Sequence, residues 1–386
     1  MPQTKYIIDD NTWEELIELT NGAAAVCFQC GVCTAVCPWG LVKEETLSVR
    51  SYMRAAQLGL QKNGNENLWL CTTCAQCEAY CPRGVDIADV FRGLRYLAWK
   101  NNHPHEGLPS LLWSVYWNNN PWEQPPSQRT NWAKNLDLPI FDPEEHEILY
   151  YVGCTASYDT RAQKVAHAVV SLLNAAGVPF GTLGEDEPCS GEEVLSVGHK
   201  HYFREMADNA TKAFKEGGIT QIVTTDPHSY DAFKNHYGNA IQPFHYTQYL
   251  ANLIEEGRLT LPAPRSPLPA KVTFHDPCYL SRHNDEIEAP RKVLNAIPGV
   301  ELVEMPNIAE DTLCCGGGGG RMWLETEPGE RFSDLRVEEA LSTGAQLLAT
   351  SCPYCIACLE DSVKAQGITE LVVMDVAEIA ALAIKQ

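Results

Sequence analysis

From residue 147 onward, short runs of β-branched and aromatic residues alternate with longer stretches whose apolar positions recur every three or four residues. The runs EILYYVGC, GITQIVTTD, KVTFHDPC, GVELVEMP, AQLLATSC and ELVVMD read as strands, and RAQKVAHAVVSLLNAAG and FSDLRVEEALSTG as helices between them. That alternation predicts α/β architecture with mostly parallel sheets. Ahead of it, the first 105 residues carry helical patterns in EETLSVRSYMRAAQLGL and IADVFRGLRYLAWK, so the chain reads as α+β overall with a mainly helical N-terminal domain. Residues 106–146 are rich in Pro, Asn and Trp, a composition that breaks regular elements but offers aromatic anchors. A long, docked linker is expected there.

The α/β part repeats itself. Cys278 follows Cys154 by 124 positions, while Cys315 and Cys352 follow Cys189 and Asp226 by 126 each. The expected domains are therefore 1–105, the linker 106–146, a first half 147–265 and a second half 266–386.

The chain has 386 residues, with 29 Lys plus Arg against 50 Asp plus Glu and a formal charge of −21. Such a chain repels phosphate backbones, so nucleic acid is not an expected partner. The opening MPQTKYIIDDNTWEELIELT lacks the basic, apolar and small-residue regions of a secretory signal, and no run of about 18 apolar residues is present. Sixteen cysteines without a signal read as reduced thiols held for metal in a cytoplasmic protein, with docking at a membrane surface still open.

Eight cysteines fall in two groups. Cys27, Cys30, Cys33 and Cys37 form C-x-x-C-x-x-C-x-x-x-C-P, and Cys71, Cys74, Cys77 and Cys81 repeat that spacing before Pro82. Three thiolates of one tight loop wrap a cubane [4Fe-4S] cluster while the fourth serves the other cluster. The expected ligand sets are Cys27, Cys30, Cys33 and Cys81 for one cubane, and Cys71, Cys74, Cys77 and Cys37 for the second. Structural zinc is the bland alternative, but a zinc module needs two pairs rather than two quartets each closed by proline.

In the second half, Cys278 is followed by Cys314-Cys315-Gly316 and then by Cys352-Pro353-Tyr354-Cys355. Strand ends on one edge of a parallel sheet bring such distant residues into one crevice. The Gly316–Gly320 run supplies N–H groups without side-chain bulk, which suits close approach to cluster sulfides; no clear strand leads into it, so a dinucleotide loop is not expected.

The segments DPCYLSRHND, LCCGGGGGRMW and SCPYCIACLED resemble the cysteine-rich (CCG) domain family of heterodisulfide reductases, which includes their B-type and D-type subunits and the iron–sulfur subunit of glycolate oxidase. The N-terminal part is similar to the C-type subunit of the same reductases. The resemblance implies a duplicated CCG domain and a non-cubane [4Fe-4S] cluster on Cys278, Cys314, Cys315, Cys352 and Cys355. In the family's reductases such clusters act directly on a disulfide.

The first half departs from that pattern: its equivalent positions read Cys154, then Pro188-Cys189, then Asp226-Pro227-His228-Ser229. One special cluster is expected, not two. Cys154, Cys189, Asp226 and His228 make a chemically acceptable Zn²⁺ set. The alternative is a relic half whose polar residues line an interface or the wall of the active crevice.

His275, Arg282 and His283 flank Cys278 and either donate protons to a bound substrate or stabilise a charged cluster. With Cys278 and Cys355, His275 and Arg282 are the candidate catalytic residues. Cys358 reads as packing, His245 as a helix start or core residue, and His103 and His105 as linker residues. The expected function is an electron-transfer role within an oxidoreductase complex. Its expected partners are a flavoprotein, ferredoxin or other redox subunit, and a small disulfide, thiol or quinone. A catalytic disulfide reductase or thiol oxidase, and a docking module with structural clusters, are the rival readings.

Overall fold

A computed structural model of the chain describes residues 8–42, 47–60, 66–264, 271–327 and 329–384. The chain forms two compact units, the first made of Met1–Pro109, Glu193–Tyr202 and Gly316–Phe332, the second of Ser110–Glu192, Phe203–Cys315 and Ser333–Gln386.

The first unit is helical. Its longer helices, Asp10–Leu19, Val49–Gln57 and Ile87–Lys100, each start at a side-chain cap: Asp9, Ser48 and Asp86 accept from backbone N–H groups of the first turn. They bury Leu16, Tyr52, Met53, Val90, Phe91 and Leu97 against one another. A Cβ at Gly93 would lie 2.7 Å from Leu16 Cδ1, so glycine there sets how closely the helices approach. The two late segments are tied in by Arg95, which is fully buried. Its guanidinium donates to the carbonyls of Ser196 at 2.7 Å, Gly319 at 3.1 Å, Leu68 at 3.3 Å and Cys71 at 2.6 Å.

The second unit holds two four-stranded parallel sheets. In the first half the strands are β1 Ile148–Tyr151, β2 Phe180–Gly181, β3 Gln221–Thr224 and β4 Gln242–His245, in the order β2-β1-β3-β4. In the second half β5 Lys271–Phe274, β6 Glu301–Leu302, β7 Leu347–Thr350 and β8 Val372–Asp375 repeat that order as β6-β5-β7-β8. The architecture is therefore α+β overall with a duplicated α/β domain. Both sheets reverse winding direction beside their first strand, which opens a crevice at the carboxyl ends of β1 and β3, and of β5 and β7. The core runs through both halves and includes helices Gln163–Ala175 and Val376–Ile384.

The linker is more ordered than its composition suggests. It contains helix Leu108–Asn118 and short 3₁₀ turns at Pro126–Gln128 and Asn131–Ala133, and Trp132 packs into the first-half core.

Candidate metal centres

In the first unit, the two cysteine loops share one backbone geometry. Gln29 and Gly31 after Cys27, and Thr73 and Ala75 after Cys71, have φ of +66°, +91°, +51° and +58°. Three of these four are not glycine, and such left-handed residues persist only where the surroundings hold them. The result is two cavities. One is lined by Cys27, Cys30, Cys33 and Cys81; the other by Cys37, Cys71, Cys74 and Cys77. The fourth cysteine of each run thus faces the cavity of the other run.

Both cavities carry features suited to a cluster. Gln29 Nε2 lies 3.6 Å from Cys27 Sγ, and the Val85 N–H donates to Cys81 Sγ at 3.4 Å. Burial pushes Cys71 up to about 11 and Cys77 well above the ordinary thiol range, so thiolates there require a cationic centre. Trp39 and Phe332 pack edge to face at 4.8 Å and both line the second cavity. Gly319, at φ +63°, abuts the Cys71 loop, since a Cβ on it would lie 2.4 Å from the Cys71 carbonyl oxygen. The glycine run permits close approach, and at Gly319 the partner is this backbone.

In the second unit, Cys278 starts helix Cys278–Asn284 just beyond β5, and Cys352 immediately precedes helix Pro353–Ala365 just beyond β7. Cys278, Cys314, Cys315, Cys352 and Cys355 are 7, 1, 5, 1 and 2 % exposed. Cys355 Sγ lies 3.3 Å from Cys315 Sγ. His275, Cys315 and Cys355 bring three donor atoms within 4.8 Å of one another, the one such group among the described residues. Burial raises Cys352, yet hydrogen bonds from Cys355 and His228 hold it down at about 6.

His275 supplies a test of whether this pocket suits a metal–sulfur group. Arg336 Nε donates to His275 Nδ1 at 3.1 Å, which places the ring proton on Nε2. Burial and the Arg336 charge hold the imidazole well below its ordinary range, and it is therefore neutral. Nε2 is buried without a hydrogen-bond partner among the described residues. A donor left over beside close-packed thiols fits an acceptor such as a cluster sulfide. The same wiring makes His275 a fixed donor rather than an acid that charges near neutrality. Arg282 Nη1 binds the carbonyls of Glu310 at 3.0 Å and Thr312 at 2.7 Å, holding the loop that leads to Cys314. His283 stacks on Tyr279 at 4.1 Å, and Cys358 is half-buried.

In the first half, Cys154, Cys189, Asp226 and His228 do not converge as one donor set. Cys154 hydrogen-bonds Cys189 and lies 3.3 Å from Arg129 Nη2; the Cys189 contact and the Arg129 charge outweigh burial and bring it to about 7. Arg129 and Glu187, both buried, pair at 3.0 Å beside it. The Asp226 carboxylate caps the next helix, accepting from His228 N at 3.1 Å and Ser229 N at 3.2 Å. His228 turns instead to Glu192 and Cys352. A zinc ion needs its four donors around one point, and here the carboxylate and imidazole serve other partners. His245 caps helix Tyr246–Glu255, while His103 and His105 line a cavity of the first unit with Trp69.

Sequence reasoning missed Arg336, Arg129 and Glu192. Arg336 and Arg129 have no charged neighbour beside them and Glu192 only Glu193, none lies in a motif, and only burial marks them out.

Paired cysteine loops and a duplicated, thiol-lined α/β domain define an iron–sulfur protein. Comparison agrees: the family profile described as a 4Fe-4S dicluster domain matches residues 23–85, and that of the cysteine-rich domain matches 148–233 and 272–360. The chain is 39 % identical over 78 % of its length to the probable iron-sulfur-binding oxidoreductase FadF of Bacillus subtilis, and 35 % identical over 82 % to the EtfAB:quinone oxidoreductase of Syntrophomonas wolfei. It spans 44 % and 46 % of those two relatives. The D-type subunit of the dihydromethanophenazine:CoB–CoM heterodisulfide reductase of Methanosarcina barkeri is 30 % identical, with 93 % of each chain covered. The chain belongs to the family of iron–sulfur proteins formed by these D-type heterodisulfide reductase subunits.

Proposed function

We propose that the chain is an electron-transfer subunit of a multisubunit oxidoreductase. When bound, cubane clusters on Cys27, Cys30, Cys33, Cys81 and on Cys71, Cys74, Cys77, Cys37 carry single electrons to or from a non-cubane [4Fe-4S] cluster on Cys278, Cys314, Cys315, Cys352 and Cys355. The observation that carries this reading is the exchange of Cys37 and Cys81 between the two thiol-lined cavities. That exchange belongs to paired clusters and has no use in two independent zinc modules.

Around the five-thiol centre, the residues serve to hold and shield. Arg336 fixes the His275 donor, Arg282 fastens the approach to Cys314, and the thiols are buried, as suits a relay capped by protein. The chain carries no convincing flavin, nicotinamide or haem motif, so electrons come from a partner such as a flavoprotein, ferredoxin or another redox subunit. No described helix is long and apolar enough to cross a membrane. Disulfide reduction at the five-thiol centre is the second reading, favoured by the name of the Methanosarcina relatives. A quinone is the rival small partner, suggested by the Syntrophomonas name.

Anaerobic iron and sulfide quantitation with electron paramagnetic resonance tests the proposal on wild type and Cys314→Ser. Loss of about a third of the iron, with one signal unlike the ferredoxin type, is expected in the variant. Equal iron in both, with ferredoxin-type signals alone, would leave a two-cluster carrier. A change of the third signal on adding a disulfide or thiol would favour the second reading.

A further inference from the structure

The first half of the repeat has lost its thiols at three positions, yet it keeps a buried polar group that the fold could make more cheaply from hydrocarbon. After β3 it reads Asp226-Pro227-His228-Ser229 where the second half reads Cys352-Pro353-Tyr354-Cys355 after β7. His228 is 3 % exposed, and its Nδ1 lies 3.0 Å from Glu192 Oε2. The other oxygen of Glu192, itself 1 % exposed, accepts from the Tyr279 hydroxyl at 2.8 Å. Tyr279 stacks on the His228 ring at 3.9 Å with planes 28° apart, and Tyr354 packs against it at 4.7 Å. Tyr354, two residues past Cys352, thus brings the His228 ring to the Cys352 loop, where the His228 and Cys352 side chains interact.

A buried carboxylate is costly to desolvate unless its partners compensate. If His228 and Glu192 only filled space, apolar residues of the same volume would do so at less cost. What apolar residues cannot supply is an N–H aimed at a sulfur.

We propose, resting on the five-thiol reading, that His228 is a positioning residue for the centre of the second half. Held by Glu192, it donates a hydrogen bond to the Cys352 sulfur. That bond withdraws electron density from the thiolate and stabilises the more negative, reduced state of the centre, so it raises the reduction potential. The first half thereby contributes a donor to the neighbouring site in place of ligands to its own.

The test is a redox titration followed by electron paramagnetic resonance on wild type, His228→Phe and His228→Gln, each with its iron content measured. A shift of the third centre to more negative potential in His228→Phe, partly reversed in His228→Gln, which keeps an N–H donor, is expected. An unchanged potential in His228→Phe at full iron content overturns the proposal and leaves the five-thiol reading standing. A wild type with no third signal overturns both. If His228→Phe sheds the centre, pulsed resonance on otherwise wild-type protein carrying ¹⁵N-histidine decides. A histidine nitrogen coupling to the third signal that persists in His275→Phe supports the proposal, and its absence there overturns it.

Discussion

The rings of His228 and Tyr354, which hold the same place in the two repeats, lie 4.7 Å apart. The loops after β3 and β7 therefore meet at their tips, and whatever one repeat gives up there the other can use. Asp226 caps its helix with its side chain at the position where Cys352, which makes no such bond, stands in the other half, so the first half holds its local fold there without a thiol.

The crossed ligand sets make unequal demands on single cysteines. Cys81→Ser is expected to impair the cluster of the Cys27 loop and to spare that of the Cys71 loop, and Cys37→Ser to do the reverse. Spin quantitation of the reduced protein should show one ferredoxin-type signal without its coupling partner in either variant. Cys81→Ser acting on the Cys71 loop would refute the crossing.

Gly319→Ala places a Cβ 2.4 Å from the Cys71 carbonyl oxygen at a φ of +63°. The backbone alone costs about 1–2 kcal/mol there, and the contact forces the Cys71 loop to move. Iron loss from the Cys71 cavity is expected, with the five-thiol centre retained, as read by metal analysis and paramagnetic resonance.

Arg95→Met strands four buried carbonyls at once, those of Leu68, Cys71, Ser196 and Gly319. A loss of about 3 kcal/mol or more is expected from hydrogen bonds to a charged donor. Denaturant unfolding of the anaerobic protein should show the first unit melting earlier than in wild type, and an unshifted curve would count against the role given to Arg95.

Asp375 ends β8 fully buried, accepts from Tyr246 at 2.5 Å, and is pushed up to about 8 by burial, against the lowering effect of that bond. The folded carboxyl keeps its proton to about pH 8, whereas the unfolded one releases it near 3.8. Its contribution is therefore complete below pH 3.8 and drains away as pH rises to about 8, at about 1.4 kcal/mol per unit at most. Asp375→Asn should flatten this fall in stability between about pH 4 and 8, measured by denaturant midpoints across that range.

The central strands were legible because β1, β3, β5 and β7 are largely buried and rich in β-branched, aromatic and aliphatic residues. Two of the edges were not. β2 is two residues long and β4 is Gln-Pro-Phe-His, so neither length nor hydrophobicity announced them, whereas the runs GVELVEMP and ELVVMD do contain the edge strands β6 and β8. At the centres, cysteine spacing led to the grouping of the N-terminal thiols, because a tight loop leaves their sulfurs few directions. Arg336, Glu192 and Arg95 gave no such signal: a lone charge reads as surface until a structure surrounds it. The proposed zinc donors show a related limit, since their chemistry suits the ion while helix capping engages Asp226 and Glu192 engages His228.

The first unit is closed by Glu193–Tyr202 and Gly316–Phe332, segments that arrive only after much of the second unit has been written. Arg95 cannot satisfy its guanidinium until both are present. A ribosome that has finished the N-terminal helices has therefore not finished the unit, which must wait for the far loops to emerge. A cut at the linker alone would likewise part the N-terminal helices from the two distant loops that complete their unit.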